Sequence, residues 1–152
     1  RDDDHRAIAV VHHMMARAAE RQLVADAKGS IEELSVEQLQ TEIAAGDVTV
    51  VDIRDVRERW DKGTIPGAKS MPRGMLEFWF DPESPYYRDG VEFESRYVLY
   101  CAGGQRSALA AKVLQDIGYE RVAHLEVGFN GWAAAGGEVE PVHPNPKYFQ
   151  QS

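Results

Sequence analysis

The sequence predicts an α/β fold, with a central parallel five-stranded sheet, helices on both faces and an N-terminal helical extension. Three observations predict it. Strand-like apolar runs alternate with helical segments of about ten residues, the spacing that parallel crossovers need. Residues 48–53 and 97–100 are almost wholly apolar, as strands covered on both faces are. The chain has 152 residues, 43% hydrophobic and 28% charged, which suits one soluble domain with a single core.

Residues 1–30 read as the extension. Within them 1–28 have helical spacing: Ile8, Val11, Met15, Ala18, Gln22 and Ala25 recur every three or four residues. Asp4, Arg6, Arg17, Glu20 and Arg21 fall opposite, and Gly29 and Ser30 stop the helix. This stripe is too thin for a strong coiled coil, so a monomer or weak homodimer is expected.

The main domain spans 31–140. Residues 31–34 form its first strand. Ser35 then caps a helix, with Gln38 in the capping-box position and Leu34 and Leu39 placed as a staple. Leu39 and Ile43 point inward and Gly46 ends that helix. Residues 48–53 are the second strand, and Asp55 with Glu58 reads as a second capping box opening a short helix through Trp60. Ile65-Pro66-Gly67 is a turn before a short strand at 68–71. Residues 73–80 are weakly helical and 81–90 form a loop. The strand at 97–100 leads to a helix at 107–117, with Ala110, Val113, Leu114 and Ile117 on one face and Gly118 as its stop. A last strand at 121–125 and a last helix at 129–135 complete the domain. Residues 141–152 form an extended tail, with three prolines in the six residues from Pro141.

Charge and cysteine content remove several classes of function. There are 17 Lys and Arg against 25 Asp and Glu, a formal charge of −8. Such a surface argues against general nucleic-acid or anionic-membrane binding. No apolar run reaches membrane-spanning length, and no signal-peptide pattern opens the chain. One cysteine permits neither an intramolecular disulfide nor a zinc site built on several cysteines. His12 and His13 are adjacent and cannot share a helix face, so no metal site is expected with His5. His124 reads as a packed or hydrogen-bonded core residue.

Cys101 follows directly on the fourth strand and precedes a helix. It therefore sits at the carboxyl end of a parallel strand, where open α/β sheets hold their ligands. The connection is Ala102-Gly103-Gly104-Gln105-Arg106. Two glycines let the backbone curl with its amides inward, and the helix behind adds its positive end. Inward amides and a positive helix end are the surroundings expected of a reactive thiolate. Arg106 adds bidentate donors for an oxyanion. Core packing needs neither the glycine pair nor the arginine; anion capture needs both.

Four blocks resemble the rhodanese (sulfurtransferase) family over about residues 31–138. Val50-Val51-Asp52-Ile53-Arg54 is similar to its first-strand Asp-x-Arg block. Gly63-Thr64-Ile65-Pro66-Gly67-Ala68 is similar to its Gly-His-Ile-Pro-Gly-Ala turn, followed by Met71-Pro72-Arg73-Gly74. Cys101 to Arg106 falls at its active-site loop. Leu125-Glu126-Val127-Gly128-Phe129-Asn130-Gly131-Trp132 is similar to its closing Leu-Glu-Gly-Gly-x-x-x-Trp block. Thr64 stands where His is commoner, Val127 where Gly is frequent, and the N-terminal helix lies outside the common domain.

The resemblance implies a rhodanese-like three-layer domain and a covalent mechanism. Cys101 would take the outer sulfur of a small anionic donor such as thiosulfate, becoming a persulfide. A thiophilic acceptor (cyanide, a thiol or a sulfur-carrier protein) would then remove it. Residues 102–106, namely Ala102, Gly103, Gly104, Gln105 and Arg106, would bind the substrate with Arg73, and the loop amides would hold the terminal sulfur's charge. Asp52 and Arg54 are expected to form an ion pair supporting the turn. Trp79, Phe80, Tyr86 and Tyr87 are candidates for pocket walls or core. No metal or organic cofactor is needed. A reactive thiol without a leader fits a cytoplasmic setting.

Two other functions compete with this one. One is a Cys-dependent phosphatase or arsenate reductase of the same fold: cell-cycle dual-specificity phosphatases place five residues between Cys and Arg, whereas here there are four, a tighter ring that suits a sulfur atom better than a phosphate. A non-catalytic interaction module would have a degraded loop, and this loop is intact.

Overall fold

Two apolar runs form the middle of the sheet, and their alternating side chains define the two layers around it. In the computed structural model, which describes residues 19–145, the elements run α1 (Glu20–Ser30), β1 (Glu32–Leu34), α2 (Val36–Ala45), β2 (Thr49–Asp52), α3 (Val56–Lys62), β3 (Lys69–Ser70), a 3-10 turn (Arg73–Met75), α4 (Leu76–Phe80), β4 (Tyr97–Tyr100), α5 (Gln105–Ile117), β5 (Val122–Leu125) and α6 (Gly128–Ala134). The strands pair in the order β1-β5-β4-β2-β3, every pair parallel. The predicted five-stranded α/β architecture is therefore present.

Side chains two apart share a face of a strand. Val51, Ile53, Leu99 and Cys101 face one core with Leu76 and Phe80 of α4 and Ala110, Ala111 and Leu114 of α5. Val50, Val98, Tyr100 and Leu125 face the other with Leu39 of α2 and Phe129 and Trp132 of α6. Each fully buried leucine here contributes about 1.5–3 kcal/mol by leaving water.

Local chemistry explains most boundaries. Ser35 and Gln38 make the reciprocal capping box, and Gly46 ends α2 in the left-handed conformation, φ +80°. The second box does not form, although Asp55 still caps the helix. Asp55 accepts from the Arg57 amide, but the Glu58 side chain turns away to Arg106. Helix α5 starts two residues before the predicted 107, because Gly104 at φ +95° serves as its N-cap. Gln105 and Arg106 thus belong to the first turn of the helix and not to the loop.

Helix α1 packs on the outside of α5, burying Val24 and Ala27 against Ala108. Gln22 and Ala25 of the predicted stripe are exposed. The physical reason is a phase break: Ala19 is extended (ψ 153°), so a helical count begun at Ile8 does not carry into a helix opening at Glu20. The rest of the predicted helix, with His5, His12 and His13, lies outside the described residues, as does the tail from residue 146. Thr64 and Glu140 form an antiparallel bridge beside α3.

Candidate active site

Cys101 leaves β4 on the face covered by α5, and the residue is only 1% exposed. Its carbonyl accepts from the Phe129 amide at 2.8 Å, and the Ala102 carbonyl accepts from the Asn130 amide at 3.0 Å. These two carbonyls are thus held toward α6. At the sulfur, the Gly104 amide donates to Cys101 Sγ at 3.1 Å and the Ser107 amide, from the first turn of α5, at 3.3 Å. Two glycines make this close approach possible. A β-carbon at Gly104 would lie 2.1 Å from the Glu126 carbonyl oxygen, and one at Gly128 (φ +65°) 2.4 Å from that of Ala102. Gly104 is buried, whereas Gly103 and Gln105 are exposed and Ala102 is half-buried.

The two arginines expected at the substrate are both held by carboxylates. Arg106 donates to Glu58 through two nitrogens, at 2.8 and 3.0 Å. The hydrogen bond from Arg106 holds the Glu58 carboxyl below the usual carboxylate range. Arg73 pairs with Glu77 one helical turn on. The Arg106 side chain stays 42% exposed, so the guanidinium borders solvent.

Asp52 and Arg54 form a buried pair, their side chains 0% and 1% exposed. Arg54 donates to both Asp52 oxygens and to the Gly63 carbonyl. Tyr100 donates its hydroxyl to Asp52 at 2.7 Å. Burial first, and then the Asp52 charge, push the Tyr100 phenol up, which keeps it a donor. Thr64 Oγ1 lies 2.8 Å from the same hydroxyl, so the residue replacing the family's His joins this network. The Arg54 guanidinium stacks 4.2 Å above the Phe129 ring, linking the network to the start of α6.

The aromatic residues are distributed otherwise. Phe80 is core, edge-on to Tyr97 and Tyr119. Trp79 is covered by Arg88 at 3.7 Å, and Tyr87 donates to the Val91 carbonyl. Tyr86 is exposed beside Phe78.

His124 is the buried, hydrogen-bonded core residue the sequence suggests, but sequence reasoning missed Ser107 and Glu33 and the link of all three to the sulfur. Ser107 Oγ lies 3.5 Å from Cys101 Sγ and 2.8 Å from His124 Nδ1. His124 Nε2 lies 2.9 Å from Glu33 Oε2. Register explains the alignment: Glu33 pairs with His124 and His124 with Leu99, and Cys101 lies two residues beyond Leu99 on the same face. Period-two alternation could have placed His124 and Cys101 on like faces, but their approach needs the strand order β1-β5-β4.

Residues 35–135 match the family model described as rhodanese-like domain. The chain belongs to this family. It is 35% identical over 107 residues to a sulfurtransferase of Allochromatium vinosum, covering 70% of this chain and 92% of that protein. It is 23% identical over 124 residues to YrkF of Bacillus subtilis, whose name describes a candidate sulfur carrier; there it covers 81% of this chain but spans only 61% of the relative's length. A solved structure from Rhodopseudomonas palustris, of a protein of unknown function described as a possible tyrosine phosphatase, shares 47% identity at a TM-score of 0.76, covering 81% of this chain and 95% of that one. Within the rhodanese-like domain, Val127 in place of a frequent Gly has a visible counterpart. A β-carbon at Gly131 would lie 2.4 Å from the Val127 side chain, so the valine is accommodated by a glycine one turn later. Among the described residues no helix is long and apolar enough to cross a membrane.

Proposed function

We propose that this rhodanese-like domain is a sulfurtransferase in which Cys101 carries a sulfane sulfur from a small anionic donor, such as thiosulfate, to a thiophilic acceptor. One observation supports it most: the buried Sγ receives the Gly104 and Ser107 amides at 3.1 and 3.3 Å, a cradle for negative charge on sulfur. The Cys101 thiolate attacks the donor's outer sulfur. A new S–S bond forms, the donor's S–S bond breaks, and sulfite leaves with the bonding pair. The persulfide's terminal sulfur then carries one negative charge. A nucleophile (cyanide in an assay, a thiol or carrier protein otherwise) bonds to that sulfur, and Cys101 departs as thiolate.

In this reading Ala102, Gly103, Gly104 and Gln105 shape the sulfur's cradle, and Arg106 and Arg73 attract the donor's sulfonate. Arg106 must share its donors between Glu58 and the incoming anion. Asp52 and Arg54 support the loop through Phe129. A phosphatase reading gains no support from the four-residue spacing between Cys101 and Arg106.

The test is turnover of thiosulfate with cyanide against hydrolysis of an aryl phosphate, for the wild type and Cys101→Ser. Sulfur transfer lost in a folded Cys101→Ser protein, with no phosphatase activity in either, is expected. Phosphate hydrolysis without sulfur transfer would overturn the reading.

A further inference from the structure

Behind the proposed nucleophile lies a hydrogen-bonded chain that sulfur chemistry as described leaves unused. It runs from Cys101 Sγ to Ser107 Oγ (3.5 Å), to His124 Nδ1 (2.8 Å), and from His124 Nε2 to Glu33 Oε2 (2.9 Å). Ser107 and His124 are both 0% exposed. The Glu33 side chain is 26% exposed and lies 3.7 Å from Lys28 Nζ of α1. The chain therefore begins at the buried sulfur and ends at the protein surface.

Its direction follows from donor arithmetic. An ionised Glu33 only accepts, so His124 Nε2 carries the hydrogen. In neutral imidazole Nδ1 is then an acceptor, and the Ser107 hydroxyl donates to it. The remaining lone pairs of Ser107 Oγ face the thiol. Every link thus points from the thiol toward the carboxylate, with no group left unmatched.

We propose that Ser107, His124 and Glu33 form a proton relay that takes the proton of Cys101 as its thiolate forms and returns it when the free thiol is restored; this rests on the reading of Cys101 as the sulfur nucleophile. The S–H proton passes to Ser107 Oγ as the Ser107 hydroxyl proton passes to His124 Nδ1. One S–H and one O–H bond break, one O–H and one N–H bond form, and no electrons change hands. Thiolate and imidazolium result, so the net charge is constant. The imidazolium then donates to Glu33 and to Ser107, and Ser107 donates to the thiolate. Ser107 touches the reacting atom and is a catalytic residue; His124 and Glu33 act through it. Burial holds the His124 ring below its ordinary pKa, against the opposing pull of Glu33, so a neutral acceptor awaits the proton.

Among the described residues, few charged groups face this hydrogen-bonded path. Around His124 they are Glu33 from β1, Lys28 from α1 and Glu126 beyond β5. Near Cys101 they are Arg106 of α5, with its partner Glu58 of α3. Variants at 107 and 124 change none of these charges.

The experiment follows thiolate absorption in the ultraviolet across pH. The chain has one cysteine, so the difference from Cys101→Ser reads a single thiol. Ser107→Ala and His124→Asn should each move the thiolate midpoint upward by about one pH unit, the effect of losing one charge-assisted hydrogen bond. The double variant should move it no further than the larger single change, because the two residues lie on one path. Glu33→Gln should move it the same way by a smaller amount. Asparagine at 124 can keep a hydrogen bond to Ser107 but cannot hold a proton, so a merely structural His124 would leave the midpoint in place. Near-ultraviolet circular dichroism of the tryptophans reports folding. A folded His124→Asn protein with the wild-type midpoint overturns the relay, as does an additive double variant. Should His124→Asn not fold, an unchanged midpoint in Glu33→Gln overturns it. No sulfur donor enters this titration. Absence of sulfur transfer would count against the proposed activity and leave the titration standing.

Discussion

Replacing Gly104 with alanine should damage both the fold and the sulfur site, and the structure supplies the magnitude. At φ +95° an alanine carries a backbone strain of about 1–3 kcal/mol. Its β-carbon would stand 2.1 Å from the Glu126 carbonyl oxygen, where contacts under 3.0 Å are essentially never seen. That oxygen cannot easily retreat, because the Glu126 amide is bonded to the Leu34 carbonyl at 3.0 Å. Relieving the overlap adds about 1–3 kcal/mol. The sum, about 2–6 kcal/mol, predicts a fall in Tm on the order of 10 °C. As the loop shifts, the Gly104 amide leaves Sγ. Losing a hydrogen bond to an ionised sulfur is worth about 1.5–3 kcal/mol, or about 10- to 150-fold in kcat/KM. Gly46→Ala is the control, with φ +80° but nothing within 4 Å of the added carbon. It should lose only the strain and keep its activity. Thermal denaturation and steady-state thiosulfate assays of both variants decide. A Gly104→Ala protein as stable as Gly46→Ala, with wild-type kcat/KM, would refute the argument that the loop requires this glycine.

Arg106→Ala should raise the KM for thiosulfate, with kcat/KM falling about 10- to 150-fold; an unchanged KM would mean that Arg106 never leaves Glu58. Conversely, Glu58→Gln should lower that KM by up to about fivefold, since an exposed pair of this kind is worth at most about 1 kcal/mol, and a raised KM would show that Glu58 positions Arg106 instead of competing for it. Acid should act in the same direction as Glu58→Gln. The Glu58 carboxyl, held below its ordinary range by Arg106, keeps its charge and its grip through that range and releases the guanidinium only as pH falls through the lowered value. Arg54→Ala leaves the buried Asp52 carboxylate without its main partner and should cost about 3–5 kcal/mol in denaturant unfolding. Arg59 Nε, 3.5 Å away, brings that toward the lower bound, and a loss under about 1 kcal/mol would contradict the anchoring role.

Features set by short-range chemistry were legible in the sequence. The apolar runs at 48–53 and 97–100 located the two central strands, and Ser35, Gln38 and Gly46 located α2, because pleat, cap and left-handed stop each depend on a few adjacent residues. Cys101 and its glycines were legible for the same reason, as a strand end, a tight turn and a helix start in succession. Long-range partners were not. Glu58 lies 48 residues from Arg106, and the pattern that suggested a capping box gave no sign that the Glu58 side chain of α3 reaches Arg106 of α5. Glu33 lies 91 residues from His124 and meets it only because β1 pairs with β5. The phase of α1 failed because one extended residue, Ala19, resets a periodic count.

The most direct test of the central claim is the intact mass of the protein after incubation with thiosulfate. The account predicts a gain of one sulfur atom on the wild type, its removal on adding cyanide with thiocyanate released, and no gain on Cys101→Ser. A wild-type protein that stays at its starting mass, or a sulfur that cyanide cannot remove, would contradict it.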